Sequence, residues 1–137
     1  MKAFDVHVHP STRGLDPHAC GYFRRNLADI PQTPEGFAGL YAKNDVRALL
    51  IGWQPSTVNE GARNSNEHVL DLASKFPETF PGILAALNTS AADLTAVARY
   101  TAELVKNPRV KGFKFHPPDQ GFYPNDKRFY DIWDQIS

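Results

Sequence analysis

The sequence has a single cysteine, no net charge and no long hydrophobic run, and each shortage excludes something. Cys20 alone cannot close an internal disulfide, so the fold is expected to form without an oxidising compartment. Fifteen basic side chains against fifteen acidic ones leave a formal net charge of zero. That withholds the broad positive field that nucleic acid or an anionic membrane requires. No apolar stretch reaches the roughly 20 residues of a membrane span, and Met-Lys-Ala-Phe-Asp-Val-His-Val-His at the start breaks any signal-like run. Repeats, low-complexity tracts and charge blocks that would mark a linker are missing as well. One cytoplasmic domain of 137 residues, acting on a small molecule, is expected.

What is present is a repeated alternation of strand-like and helix-like segments. Ala3 to His9 sets Phe4, Val6 and Val8 against Asp5, His7 and His9, the period-two pattern of a strand. A long segment rich in Pro, Gly and polar residues runs on to Thr33. There an N-cap followed by Pro34 predicts a short helix that ends near Asn44. Arg47 to Gly52 is a short apolar run suited to a strand covered on both faces. Asn64 with Glu67 resembles a capping box, and Val69, Leu70, Leu72, Ala73 and Phe76 continue as a helical stripe that stops before Pro77.

Gly82 to Leu87 reads as a third strand. Ser90 then opens a helix carrying Leu94, Val97, Ala98, Leu104 and Val105 as far as Pro108. Val110 to His116 makes a fourth strand, and after a loop from Pro117 to Asn125 a helix capped by Asp126 presents Phe129, Ile132, Trp133 and Ile136 inward. Strand then helix, four times over, argues for an α/β fold with a parallel sheet, either an open doubly wound sheet or a TIM barrel. A full barrel takes about 250 residues, so length favours the open sheet and the motifs must arbitrate.

In Asp5-Val6-His7-Val8-His9-Pro10, strand alternation turns Asp5, His7 and His9 to one face and puts both imidazoles at the strand's C-terminal end. Two neutral imidazoles on one face can chelate one divalent ion, zinc above all. For an isolated His-x-His a hydrogen-bonded polar strand end is the commoner explanation. The place of this pair, ending the first strand where parallel α/β folds build their sites, favours the metal. Gly112-Phe113-Lys114-Phe115-His116-Pro117-Pro118 repeats the layout, with Lys114 and His116 on one face and proline ending the strand. For His116 alone, a capped strand-end histidine weighs as much as a third ligand.

With these motifs in hand, the sequence resembles the amidohydrolase superfamily, in the branch that contains aminocarboxymuconate semialdehyde decarboxylase, resorcylate decarboxylases and several hydrolases and lactonases. The resemblance spans essentially the whole chain. It rests on Phe4-Asp5-Val6-His7-Val8-His9-Pro10 and on Val110-Lys111-Gly112-Phe113-Lys114-Phe115-His116-Pro117-Pro118, with Gly121-Phe122-Tyr123-Pro124 after it. It implies a (β/α)8 barrel of which about four βα units are present, so that residues 1–137 form the N-terminal half of one metal-dependent hydrolase domain. It also implies His7, His9 and His116 as metal ligands. The further active-site His and the last-strand Asp of the family have no counterpart in this chain. Lys114 is expected to be a structural charge paired with a carboxylate such as Asp5.

The resemblance implies hydrolysis of a small molecule by a metal-activated water. The same site in its decarboxylase version would take an aromatic or muconate-like acid. Arg13, Arg24 and Arg25 in the loop after the first strand are candidates for binding a substrate carboxylate, and Trp53 for the pocket wall. His18 and His68 are expected on the surface. A non-catalytic half-barrel that self-associates into a homo-oligomer is the expectation from a different class.

Overall fold

The computed structural model describes residues 1–10, 31, 33–53, 64–91 and 93–137, and among these stand four strands, each followed in the chain by helix. In chain order they are β1 (Ala3–Val8), α1 (Pro34–Lys43), β2 (Val46–Ile51), α2 (Asn66–Lys75), β3 (Gly82–Ala86), α3 (Leu94–Leu104) and β4 (Val110–Lys114). A short helix α4 (Pro117–Gln120), a 3-10 turn (Lys127–Phe129) and α5 (Tyr130–Ile136) complete the chain. No helix among the described residues is long and apolar enough to cross a membrane.

Local side-chain chemistry starts the helices. Thr33 Oγ1 accepts from Gly36 N at 3.1 Å with Pro34 at the first helical position, as expected. Two other starts move. The second helix is capped by Ser65, whose Oγ accepts from His68 N at 3.2 Å. Asn64 lies one place too early, and its carbonyl takes the Trp53 N–H at 2.7 Å. Asp93, not Ser90, caps α3 by accepting from Ala96 N at 2.9 Å. Ser90 belongs to a turn in which its N–H donates to Asn88 Oδ1 and its hydroxyl to Gln120 O. The expected loop after His116 contains α4, because prolines at its first two positions forfeit no helical hydrogen bond and Gly121, at φ 65°, ends it in the left-handed region.

The sheet is parallel throughout, with strands in the order β1-β2-β3-β4. A doubly wound sheet reverses its strand order at a switch point, and the described strands contain no such reversal. Right-handed crossovers between strands laid down in sequence put successive helices on one face. That face holds the core: Val8, Ala48, Leu50, Ile83, Ala85 and Leu87 from the strands meet Phe37, Val69, Leu72, Val97, Leu104, Phe129 and Ile132 from the helical layer.

Two register breaks decide which side chains leave that face. Between the pairs Asp5↔Ala48 and Val8↔Leu50, β1 advances three residues against two in β2. Asp5 and Val8 therefore both face the helices, and the strict alternation expected over 3–9 does not hold. Asp5 is bonded there to the Tyr41 hydroxyl, which burial first and then the Asp5 carboxylate push above the usual phenol pKa. Asp5 Oδ1 also accepts from His7 N at 2.9 Å. In β4 a second break follows Val110, after which Phe113 pairs with Ala85 and Lys114 with Ala86. Phe113 and Phe115 pack into the core, so Lys114 stands on the opposite face.

Candidate functional site

The histidines gather where the strands end. His9 lies one residue beyond β1, Trp53 two beyond β2 and His116 two beyond β4. In a parallel sheet these C-terminal ends lie along one edge, the edge at which α/β folds bind ligands. The His7 and His9 rings meet edge to face with centroids 5.3 Å apart. Trp53 packs against His9 at 5.7 Å and against His116 at 6.2 Å. The structure thus brings His7, His9, Trp53 and His116 into one chain of ring contacts.

Burial, and then the positive charges of His7 and Lys114, lower the His9 pKa below its ordinary value, against an opposing hydrogen bond to the Ile51 backbone. Both effects favour the neutral imidazole. A bond that favours the protonated ring is one in which a ring N–H donates to the Ile51 carbonyl, so the other nitrogen keeps its lone pair, as a metal ligand needs. Among the described residues no three His, Cys, Asp or Glu side chains assemble into a group that would hold a metal ion. His7 and His9 are in direct ring contact, whereas Trp53 stands between His9 and His116.

Two buried amides, not singled out in the sequence, hold the ends of these strands. Asn66, the first residue of α2, is fully buried and bonds both backbone groups of Ala86. It accepts from Ala86 N at 2.8 Å and donates to Ala86 O at 2.7 Å. In effect a side chain continues the ladder past the end of β3. Gly52 makes room for it, since a Cβ there would lie 2.3 Å from Asn66 Oδ1. Gly52 N donates to Leu84 O at 2.9 Å, and with the Trp53 N–H bond to Asn64 this sets where the indole stands. The available signal was positional: Asn66 falls on the apolar face of α2 with Val69 and Ala73, and a polar residue on a core face needs a partner.

Gln120 does the same for His116. Its Oε1 accepts from His116 N at 2.8 Å and its Nε2 donates to Leu87 O at 2.8 Å, tying the end of β4 to the end of β3. A cavity of about 320 Å³ is bounded by Gln120 together with Thr89, Ser90, Leu94, Phe122 and Arg128, and none of the histidines lines it.

Asn66 Nδ2 also donates to the Tyr100 hydroxyl at 3.1 Å, which in turn donates to Glu67 Oε1 at 2.8 Å. Burial foremost, and then the bond to Glu67 and its charge, push the Tyr100 pKa up to about 12, while the bond from Asn66 works the other way. The folded value lies above the unfolded one of about 10. The network's contribution to stability is therefore complete below pH 10 and is lost as the pH rises from there towards 12. An ultraviolet titration of phenolate, compared with Tyr100→Phe, is expected to show the missing tyrosine ionising last. Ionisation near pH 10 would contradict the buried network.

Arg13, Arg24, Arg25, His18 and Cys20 lie outside the described residues. His68 is half-buried in the first turn of α2 rather than on the open surface. Lys114 does not pair with Asp5, because the break in β1 sends that carboxylate to the helical side. Comparison with family models, with curated proteins and with solved structures finds no match to the chain.

Proposed function

We propose that this chain is part of a metal-dependent hydrolase of the amidohydrolase type, acting on a small molecule at the C-terminal edge of its sheet. In this reading the four βα units are one side of a (β/α)8 barrel, a view supported by the sequential strand order and by helices on a single face. His7 and His9 hold a divalent metal, zinc by preference for neutral imidazole, and His116 is the further ligand. The single observation that carries the reading is the edge-to-face contact of the His7 and His9 rings, centroids 5.3 Å apart, at the C-terminal end of β1.

The metal would supply Lewis acidity towards a substrate oxygen and a water acidic enough to ionise near neutral pH. The chain's own groups have more limited tasks. Trp53 walls the site, packing against the half-buried His9 and the exposed His116. Gln120 fixes the backbone at His116, and Asn66 fixes the neighbouring strand end. Calorimetric titration of the metal-free chain with zinc chloride tests the proposal. Saturable one-to-one uptake is expected, and heats no larger than those of dilution would end it.

A further inference from the structure

We infer that the cavity between the turn after β3 and the end of α4 binds a small neutral polyhydroxy compound, of about monosaccharide size. This goes beyond the metal reading, and nothing in it depends on zinc. The cavity measures about 320 Å³, within the roughly 300–1,000 Å³ of small-molecule sites. Its walls come from separate parts of the chain. Thr89, Ser90 and Ala91 belong to the turn after β3, Leu94 opens α3, Gln120 to Phe122 follow from the end of α4, and Arg128 lies in the 3-10 turn.

The polar groups in these walls specify the ligand by the bonding capacity each retains. Thr89 is 6 % exposed, and among the described residues its Oγ1 is the buried side-chain polar atom without a hydrogen-bond partner. Buried hydroxyls are ordinarily paired, so this one holds both donor and acceptor capacity in reserve. One staggered step about χ1 exchanges the hydroxyl with a neighbouring substituent on Cβ. A ligand that offers a partner draws it out of a position where it has none. Ser90 donates its hydroxyl proton to Gln120 O at 3.3 Å and keeps its lone pairs, so towards a ligand it accepts. Arg128 can only donate. Its Nε and Nη2 hold Asp126, whose charge offsets that of the guanidinium, and Nη1 remains to meet a ligand oxygen. The Phe129 ring steadies the guanidinium, 5.6 Å from its centroid. A carboxylate cannot donate to Ser90 and an ammonium cannot accept from Arg128, whereas a hydroxyl does both. Hydroxyls spread around a small ring meet Thr89 and Ser90 on one element and Arg128 on another, and the ring's C–H face packs on Leu94, Ala91 and Phe122.

NMR titration of the metal-free full chain with myo-inositol and with D-glucose tests the assignment, with benzamide and toluene as controls. At least one polyol is expected to bind saturably, in roughly the millimolar range open to a ligand of this size. Thr89→Val should weaken that binding about fivefold, the share of one neutral hydrogen bond. It should not lower the Tm, because the hydroxyl it removes has no partner in the free chain. Ala91→Leu fills the cavity and should abolish polyol binding while circular dichroism shows the fold intact. Absence of saturable polyol binding, control binding as tight as the polyol's, or a polyol affinity unchanged by Thr89→Val overturns the assignment. A lowered Tm for Thr89→Val does so too, since it means that the hydroxyl is already bonded. Polyol binding retained by a folded Ala91→Leu places the ligand elsewhere and has the same force. If Ala91→Leu does not fold, the affinity and Tm of Thr89→Val decide.

Discussion

Asn66→Ala is expected to destabilise the fold by about 3 kcal/mol, because it leaves both backbone groups of Ala86 buried without partners and each such group costs roughly 1–3 kcal/mol. Urea denaturation with an unchanged slope should report it. The same contact predicts a coupling. In Gly52→Ala the new methyl would lie 2.3 Å from Asn66 Oδ1 and 3.2 Å from Ala86 N, so the amide must leave its place and the cost should be of similar size. Once Asn66 is truncated, the methyl has room. The Gly52→Ala, Asn66→Ala double variant should therefore lose clearly less than the two single losses added together. Simple additivity would mean that Gly52 is not there to admit the amide.

His7→Ala combined with His9→Ala is expected to reduce zinc affinity by more than about a hundredfold. Losing residues that merely support metal ligands costs roughly 10–100-fold, and losing the ligands must cost more. Stability should change little, since His7 is exposed and His9 only half-buried. Stoichiometric zinc retained by the double variant would refute the pair. His116→Ala, measured alongside, asks whether a ring on the far side of Trp53 belongs to the same metal. A loss comparable to that of either single histidine is expected, and an unchanged affinity would leave His116 as a residue of the pocket wall.

The alternation of strands and helices was legible because its signals are local. Val69, Leu72 and Ala73 repeat at helical spacing whatever surrounds them, and Thr33 with Pro34 starts a helix from within a single turn. Where the expected caps, Asn64 and Ser90, gave way to Ser65 and Asp93, distant partners were involved. The Trp53 N–H takes the Asn64 carbonyl and leaves the cap to Ser65; the Gln120 carbonyl takes the Ser90 hydroxyl and leaves α3 to Asp93. Asn66 and Gln120 escaped notice for the same reason. A single Asn or Gln carries no chemistry of its own, and its importance lies in the backbone groups that folding brings to it.

The candidate site divides along the same line. His7, His9 and His116 were readable as strand-end imidazoles because a residue's position along a strand is written in its periodicity and in the prolines that follow. Which face each residue takes was not, because one extra residue in β1 between Asp5 and Val8 resets the alternation, and that residue is defined only against β2. The reset sends Asp5 to Tyr41 and separates it from Lys114. The approach of Trp53 to two histidines likewise depends on Gly52, Asn66 and the end of β3 meeting in space. Residue types and their order along the chain were thus set locally, whereas partners and faces were set by strand pairing, whose register depends on residues tens of positions apart.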